Sequence, residues 1–287
     1  MSAIERNPVV QGTSMSLSAQ SQKAMQATGA LIAMTAKGLS AAAQMAFKAV
    51  QSSIGLVSTA IQSAKELRTS AQTMQQQAIA ISHDQGLSIA EANTVAALAI
   101  ASNYMVNDPR VITQSLQTLQ NNPSAQNLQA FQTTLENAHQ QVFVERLSLA
   151  VQNAALKVGF TQIPSAATSM VNGKVRLAAS DDTGRVLVTE ISSDRDHDIS
   201  MVTEIIGSSD HTCNQILDAF HVALEAEGVK MGDRDRKFTG GIIELEAARQ
   251  FVSQKVKPKA KAASSEQTER KAAAKPRPVQ KQSQIRH

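Results

Sequence analysis

The sequence predicts a multidomain α+β protein that is divided into three parts. Residues 1–150 contain 20 Gln and only 15 charged residues, and their apolar residues recur at helical intervals of three and four. From residue 158 the apolar residues alternate with polar ones, which is typical of strands. We therefore predict an Ala/Gln-rich helical bundle or coiled coil over 1–157, a small antiparallel sheet with one covering helix over 158–254, and a disordered Lys/Ala/Pro-rich tail over 255–287.

The helical part carries local start and stop signals. Apolar residues from Val50 to Ile81 follow a mean spacing of about 3.5 residues, which predicts a lean, Ala-rich helix seam. Residues 25–61 are predicted to form an Ala-rich helix, and its Ser/Gln polar face favours packing against other helices over lying on a membrane. Three more helices have a capping residue or proline at their start: Ser88 to about Met105, Pro109 to before Asn121, and about Ser124 to Lys157, with Gly159 ending the last.

Residues 158–254 are predicted to form a small sheet and two helices. Runs around Val175–Leu177 and over Val186–Ile191 flank the turn sequence Asp181-Asp-Thr-Gly184, which indicates a hairpin. A third strand is predicted over Ile199–Ile205 and a short fourth over Gly159–Ile163. A helix should follow, capped by Ser209 or Asp210, burying Cys213 and closed by Gly228, and a shorter helix is expected over Ile242–Val252.

Composition restricts the class of protein. The chain has 287 residues with 42% hydrophobic content, which is enough for a core, and it has one cysteine, so an internal disulfide is excluded. No run approaches the 20 or so apolar residues that a membrane-spanning helix needs, and the first residues do not resemble a secretory signal. We expect a cytoplasmic protein without a transmembrane segment.

The positive charge is concentrated at the C-terminal end. Net charge is +1 over residues 1–150, −5 over 151–254 and +8 over 255–287. An unfolded polycation contacts phosphates in a salt-dependent way, although no aromatic residue is present there to stack on bases. The candidate anion or nucleic-acid contacts are Lys255, Lys257, Lys259, Lys261, Arg270, Lys271, Lys275, Arg277, Lys281 and Arg286.

No catalytic, cofactor or metal site is predicted. Asp194, Asp196 and Asp198 alternate as in an EF-hand, but the required glycine and bidentate glutamate are replaced by Ile199 and Ile205. Asp196, His197, His211 and Cys213 lack a recognised metal-ligand spacing, and Cys213 fits the apolar stripe of its helix. Thr239-Gly-Gly241 before a helix matches no phosphate-binding motif. An enzyme built on Cys213, with His211 or His197 as base, has no support beyond proximity.

Residues 186–229 resemble a known family. Strand Ile199–Ile206, Gly207, a short polar stretch, Cys213 and an amphipathic helix to Glu227 are similar in order to a family of small, uncharacterised bacterial proteins. Members of that family look like companions of MoxR-type AAA ATPases. The resemblance implies an accessory or adaptor role, and it covers under a fifth of the chain.

The sequence supports two hypotheses about function. The first is a non-enzymatic interaction or adaptor protein that forms homo-oligomers or binds a protein partner, such as an AAA ATPase, through its helical half. The Ala-rich seam supports this first hypothesis, because alanine side chains bury little apolar area. Helices with such a seam need close packing against other helices or another subunit to be stable. The alternative is a nucleic-acid-associated protein that binds phosphates through residues 255–287.

Overall fold

The computed structural model describes residues 2–12, 19–53, 64–162, 169–171, 174–194, 198–208, 212–246 and 248–249. The predicted α+β class is confirmed. Within the described ranges the elements are, in order, β1 (Ala3–Gly12), α1 (Ala19–Lys37), α2 (Ala41–Ser53), α3 (Ala64–Asp84), α4 (Ile89–Ala101), α5 (Pro109–Asn121), α6 (Ala125–Lys157), β2 (Thr161–Gln162), β3 (Ser169–Val171), β4 (Lys174–Ser180), β5 (Val186–Ser193), β6 (Ile199–Ile206), α7 (Cys213–Ala226), β7 (Val229–Met231) and β8 (Asp235–Phe238).

Helices α1 to α6 form a bundle around α4. Every described side chain of α4 from Ala92 to Ala101 is buried, so this helix is enclosed on all sides by the others. Its start is the predicted capping box, in which Ser88 Oγ accepts a hydrogen bond from Glu91 N and Glu91 accepts one from Ser88 N. Asp108 with Pro109, and Ser124, likewise begin α5 and α6 as predicted.

Two predicted helices differ in extent. The segment 25–61, predicted as one helix, is broken at Gly38–Ser40, where Ser40 Oγ accepts a hydrogen bond from Ala43 N and starts α2. Residues 54–63 of the predicted seam lie outside the described residues, whereas Ala64, Leu67, Ala71, Met74 and Ala78 are buried along α3. Helix α4 ends at Ala101 and not near Met105, because Ser102 closes it.

The strands form one antiparallel sheet in the order β2-β4-β5-β6-β1-β7, with β3 paired to β4 and β8 to β1. The predicted hairpin is confirmed: β4 and β5 pair with Leu177 opposite Thr189, and Gly184 in the turn has φ 86°. The short strand predicted near Gly159–Ile163 is β2. The sheet is larger than predicted, because β1, β3, β7 and β8 add to the expected strands.

Strand β1 corrects the prediction that residues 1–157 are wholly helical. It lies between β6 and β7, with Ala3 opposite Ile205 and Val9 opposite both Ile199 and Met231. Its core-facing positions include the polar residues Glu5 and Asn7, which are 2% and 3% exposed. Polar residues at these positions hide the alternating apolar pattern by which strands are recognised in a sequence.

Helix α6 belongs to two cores. Leu128, Phe131 and Leu135 pack in the bundle, whereas the later turns, from Phe143 to Ala155, pack on the sheet together with α7. Two helices therefore cover this face of the sheet, where one was predicted. Helix α7 begins at Cys213, after Thr212, whose side chain makes no capping hydrogen bond. The predicted capping residues Ser209 and Asp210 lie outside the described residues.

The opposite face of the sheet is covered by the chain after β8. Leu245 and Ala248 pack with Ile4, Val186 and Val188 in a small apolar cluster. The predicted helix Ile242–Val252 starts later than expected, since residues 242–245 are not helical and only Glu246, Ala248 and Arg249 are described as helical. No helix among the described residues combines the length and apolar character needed to cross a bilayer.

Candidate functional site: a cavity between α1, α2 and the end of α4

An apolar cavity of about 600 Å³ opens where α1, α2 and residues 101–106 meet. Its described lining residues are Met25, Thr28, Gly29, Ile32, Ala33, Ala36, Lys37, Gln44, Phe47, Lys48, Gln51, Ala101, Ser102, Asn103, Tyr104, Met105 and Val106. They include two lysines and neither aspartate nor glutamate. The cavity is therefore an apolar space with positive charge and no negative charge in its described wall.

Local features of α1 and α2 explain why a cavity remains between these helices and residues 101–106. The break at residues 38–40 separates α1 from α2, and residues of both helices line the cavity. Helix α1 packs lightly, because its only described buried side chains are Thr28, Ile32 and Ala36. Thr28 Oγ1 donates a hydrogen bond to the backbone oxygen of Val106 at 3.0 Å and so ties α1 to the chain that follows α4.

A buried polar cluster lies behind Tyr104. Glu136, which is 3% exposed, accepts hydrogen bonds from Arg68, from Gln132 Nε2 at 3.0 Å and from the Tyr104 hydroxyl at 3.5 Å. Burial, followed by the charge of Glu136, raises the pKa of Tyr104 far above its ordinary range, so this phenol stays protonated as a donor. His139 Nδ1 accepts a hydrogen bond from Met105 N, and its ring meets Tyr104 edge-on. The cluster fixes the inner wall of the cavity.

Arg146 lies next to Met25, which lines the cavity. Its guanidinium contacts Met25 Sδ at 3.2 Å, and burial lowers its pKa to about 10. At that pKa the side chain remains cationic at neutral pH. It therefore adds positive charge close to the cavity, next to one of the lining residues.

A second buried cluster holds the sheet to α7. Glu5 accepts hydrogen bonds from Asn7 Nδ2 at 2.7 Å and from Arg236 Nε at 2.6 Å, and Arg236 also donates to Asp218 at 2.8 Å. His221 Nδ1 lies 3.7 Å from Glu5, and burial lowers the pKa of this imidazole, with Arg234 adding to the effect. These charges pair β1, β8 and α7 with one another, which is a structural role.

Of the four candidate metal or nucleophile residues, the structure describes Cys213 alone. Cys213 is 0% exposed in the apolar core, as its stripe predicted. Asp196, His197 and His211 lie outside the described residues, and no cluster of three potential ligands occurs within the described ones. Asp194 and Asp198 close the β5–β6 loop through Asp198 N, and Asp198 pairs with Lys65 of α3.

The two remaining candidate anion-binding features are the glycine turn at residues 239–241 and the basic C-terminal tail. Gly240 and Gly241 have φ of 62° and 100°, and Ile242 N donates to Thr239 O, so Thr239-Gly-Gly241 is a turn that leads back to the sheet. The ten basic residues of 255–287 lie outside the described residues, and their role stays a prediction.

Sequence reasoning missed the cavity. Its lining comes from two neighbouring helices and from a loop that is distant in sequence, and the lining residues form no recognisable motif. One signal was present in Gly29, a glycine inside a helix, where alanine is more stable. Comparisons with family models, curated proteins and solved structures gave no match to this chain.

Proposed function

We propose that this chain is a non-enzymatic interaction protein, an adaptor, which binds a protein partner through the outer face of α1 and α2. The observation that carries the proposal is the light packing of α1 together with exposed methionines on both helices. Met34 on α1 is 64% exposed and Met45 on α2 is 60% exposed, and neither lines the cavity. Both methionine side chains are therefore accessible to a partner.

The energetics of helix packing support this proposal. A helix in a protein gains most of its stability from packing one face against other elements, and much less from helix propensity. Helix α1 buries three described side chains, and they are small or medium in size. A partner that covers Met34 and Met45 would supply the missing apolar contact, and methionine side chains adapt to irregular surfaces.

Charge indicates the kind of partner. Helices α1 and α2 carry Lys23, Lys37 and Lys48 and contain no Asp or Glu. Electrostatic complementarity favours a partner surface that is apolar at its centre and acidic around it. An AAA ATPase is the partner class that the resemblance of residues 186–229 suggests.

Helix α6 suits an adaptor. It has 33 residues and spans roughly 50 Å at 1.5 Å per residue. Since its first turns lie in the bundle core and its last turns lie in the sheet core, binding at one module is mechanically connected to the other. A second surface on the sheet module would then be held at a fixed distance from α1 and α2.

The test is a pull-down with matched variants. Tagged full-length protein is compared with the double variant Met34→Glu and Met45→Glu and with a control double variant, Ile89→Glu and Val222→Glu. The control residues are 75% and 65% exposed and lie on α4 and α7. We expect a protein to be retained by the wild type and the control and lost by the methionine variant. Equal retention by all three overturns the proposal.

Two further arms identify the partner class. Sedimentation velocity of the purified chain tests self-association, and loss of an oligomer in the methionine variant would identify the partner as a second copy. A form ending at Gln254 tests the nucleic-acid alternative, for which the charge of +8 over 255–287 is the supporting observation. If only the full-length form captures material, and that material is nucleic acid whose binding weakens steeply with salt, the tail is the functional part. The adaptor proposal then fails.

A further inference from the structure

We infer that the cavity beneath α1 and α2 binds an amphipathic carboxylate, an unbranched apolar chain with one anionic head group. The inference rests on the proposed function, because such a ligand would brace the two helices that form the partner surface. It concerns the inner side of α1, whereas the exposed methionines lie outside the cavity lining.

The size and wall of the cavity suit an apolar chain. About 600 Å³ falls within the 300–1,000 Å³ or so that small-molecule pockets occupy. Ile32, Ala36, Phe47 and Val106 line it and are at most 9% exposed. Such a wall offers dispersion contacts and apolar burial along the length of a chain.

Three polar side chains of the wall are already engaged in hydrogen bonds within the protein. Thr28 Oγ1 donates to Val106 O, and the Tyr104 hydroxyl donates to the buried Glu136. Gln44 Nε2 donates to the backbone oxygens of Lys37 and Leu39. The inner wall therefore behaves as an apolar surface, which favours a chain without polar substituents.

The lysines set the sign of the head group. Lys37 and Lys48 lie on different helices, both line the cavity and both are exposed. Neither ammonium group has an ion-pair partner among the residues that the structure describes. Without acidic residues in the described lining, a carboxylate near these lysines would meet attraction and no repulsion.

Gly29 provides room for close approach. It lies in the middle of α1 and lines the cavity, and a Cβ added there would meet no atom within 4 Å. Packing within the protein therefore does not require glycine, which is the least favourable helix residue after proline. Its absent side chain leaves the helix backbone open to a ligand.

The experiment titrates the full chain with decanoate by isothermal calorimetry, using 1-decanol and decyltrimethylammonium as head-group controls. We expect one decanoate per chain, bound at least tenfold more tightly than either control. Hydrogen exchange across residues 22–37 should slow at saturation, because the ligand holds α1 against the rest of the bundle.

Matched variants locate the site. Gly29→Trp fills the cavity and should weaken decanoate binding at least tenfold, whereas Ala27→Trp, at an exposed position on the other side of α1, should not change it. Lys37→Gln with Lys48→Gln should remove the preference for decanoate over decanol. The control pair Lys23→Gln and Lys230→Gln, exposed and outside the lining, should keep it. Circular dichroism of each variant establishes that it is folded.

The outcomes separate this inference from the proposed function. No decanoate binding, equal binding of decanoate and decanol, or binding unaffected by Gly29→Trp in folded protein overturns the inference. If the methionine variant still loses its partner in those cases, the adaptor proposal stands. If decanoate binds as expected but the methionine variant still retains its partner, the cavity inference stands and the adaptor proposal fails.

Discussion

At the residue scale, the buried carboxylates are held by specific donors. Glu136 is almost fully buried and forms a bidentate ion pair with Arg68, with distances of 2.8 Å from Nη2 to Oε2 and 3.2 Å from Nε to Oε1, and it also accepts hydrogen bonds from Gln132 and Tyr104. Glu204, which is 0% exposed, accepts hydrogen bonds from Glu244 N and Leu245 N and so fixes the segment that covers the far face of the sheet. Both side chains hold separate parts of the chain together.

Removing Arg68 should destabilise the bundle. Arg68→Ala leaves the Glu136 carboxylate buried without its counter-ion, and such losses cost about 3–5 kcal/mol in fully buried pairs. Because the Arg68 side chain is 36% exposed, water compensates in part and we expect about 2 kcal/mol. Urea unfolding measures the change. Adding Glu136→Gln should recover part of the loss, and a double variant less stable than Arg68→Ala alone would contradict this account.

Glu204 should make stability depend on pH. Burial raises the pKa of this carboxyl above its ordinary 4.5, partly opposed by its two backbone hydrogen bonds. The Glu204 carboxyl therefore keeps its proton to a higher pH in the folded protein than in the unfolded chain. Its contribution to the free energy of unfolding is full below the unfolded-state pKa and is lost as the pH rises through the folded-state pKa.

Glu204→Gln removes this dependence. Urea unfolding from pH 4.5 to pH 7 should show the stability of the wild type falling relative to that of the variant as the pH increases. The lowered pKa values of other acids, including Asp218 and Glu190, affect both proteins equally and cancel in the difference. A difference that is constant over this range would show that Glu204 does not titrate there.

At the element scale, helix starts follow local chemistry. Ser124 Oγ accepts a hydrogen bond from Asn127 N at 3.2 Å and satisfies one of the free donors at the start of α6. Ser124→Ala should lower the free energy of unfolding by about 1 kcal/mol. Ser124→Asp, which retains an acceptor, should lower it much less. Equal losses in thermal or urea unfolding would mean that the cap does not stabilise the helix.

Local chemistry also explains which elements could be predicted. The capping box at Ser88, Pro109 after Asp108, and the Asp181–Gly184 turn each act over a few residues, and all were predicted in place. Strand β1 could not be predicted in this way. Its partners in β6 and β7 are about 190 residues or more away, and its buried Glu5 requires Arg236 of β8 as a counter-ion.

At the scale of the whole molecule, α6 should couple the two cores. Leu135 is 0% exposed in the bundle, and Leu187 is 2% exposed in the core that the later turns of α6 share with the sheet. Either leucine changed to alanine should cost about 3 kcal/mol. We expect each substitution to shift the unfolding midpoint of both modules, with circular dichroism following the helices and hydrogen exchange following β5 and β6.

The contrary result is equally informative. If Leu135→Ala leaves the midpoint of β5 and β6 unchanged while the helices unfold earlier, the two modules unfold independently. Helix α6 would then not transmit stability between the cores, and the mechanical part of the adaptor proposal would have to be withdrawn. The cavity and its predicted ligand preference would be unaffected.

The sequence by itself determined the α+β class, the starts of α4, α5 and α6, the β4–β5 hairpin and the burial of Cys213. These features depend on capping, turn and periodicity effects that operate within a few residues. Only the tertiary structure decided the place of β1, the double role of α6 and the cavity beside Gly29. The physical reason is that strand pairing, shared cores and cavities depend on which distant side chains meet, and this is settled by the packing of the whole chain.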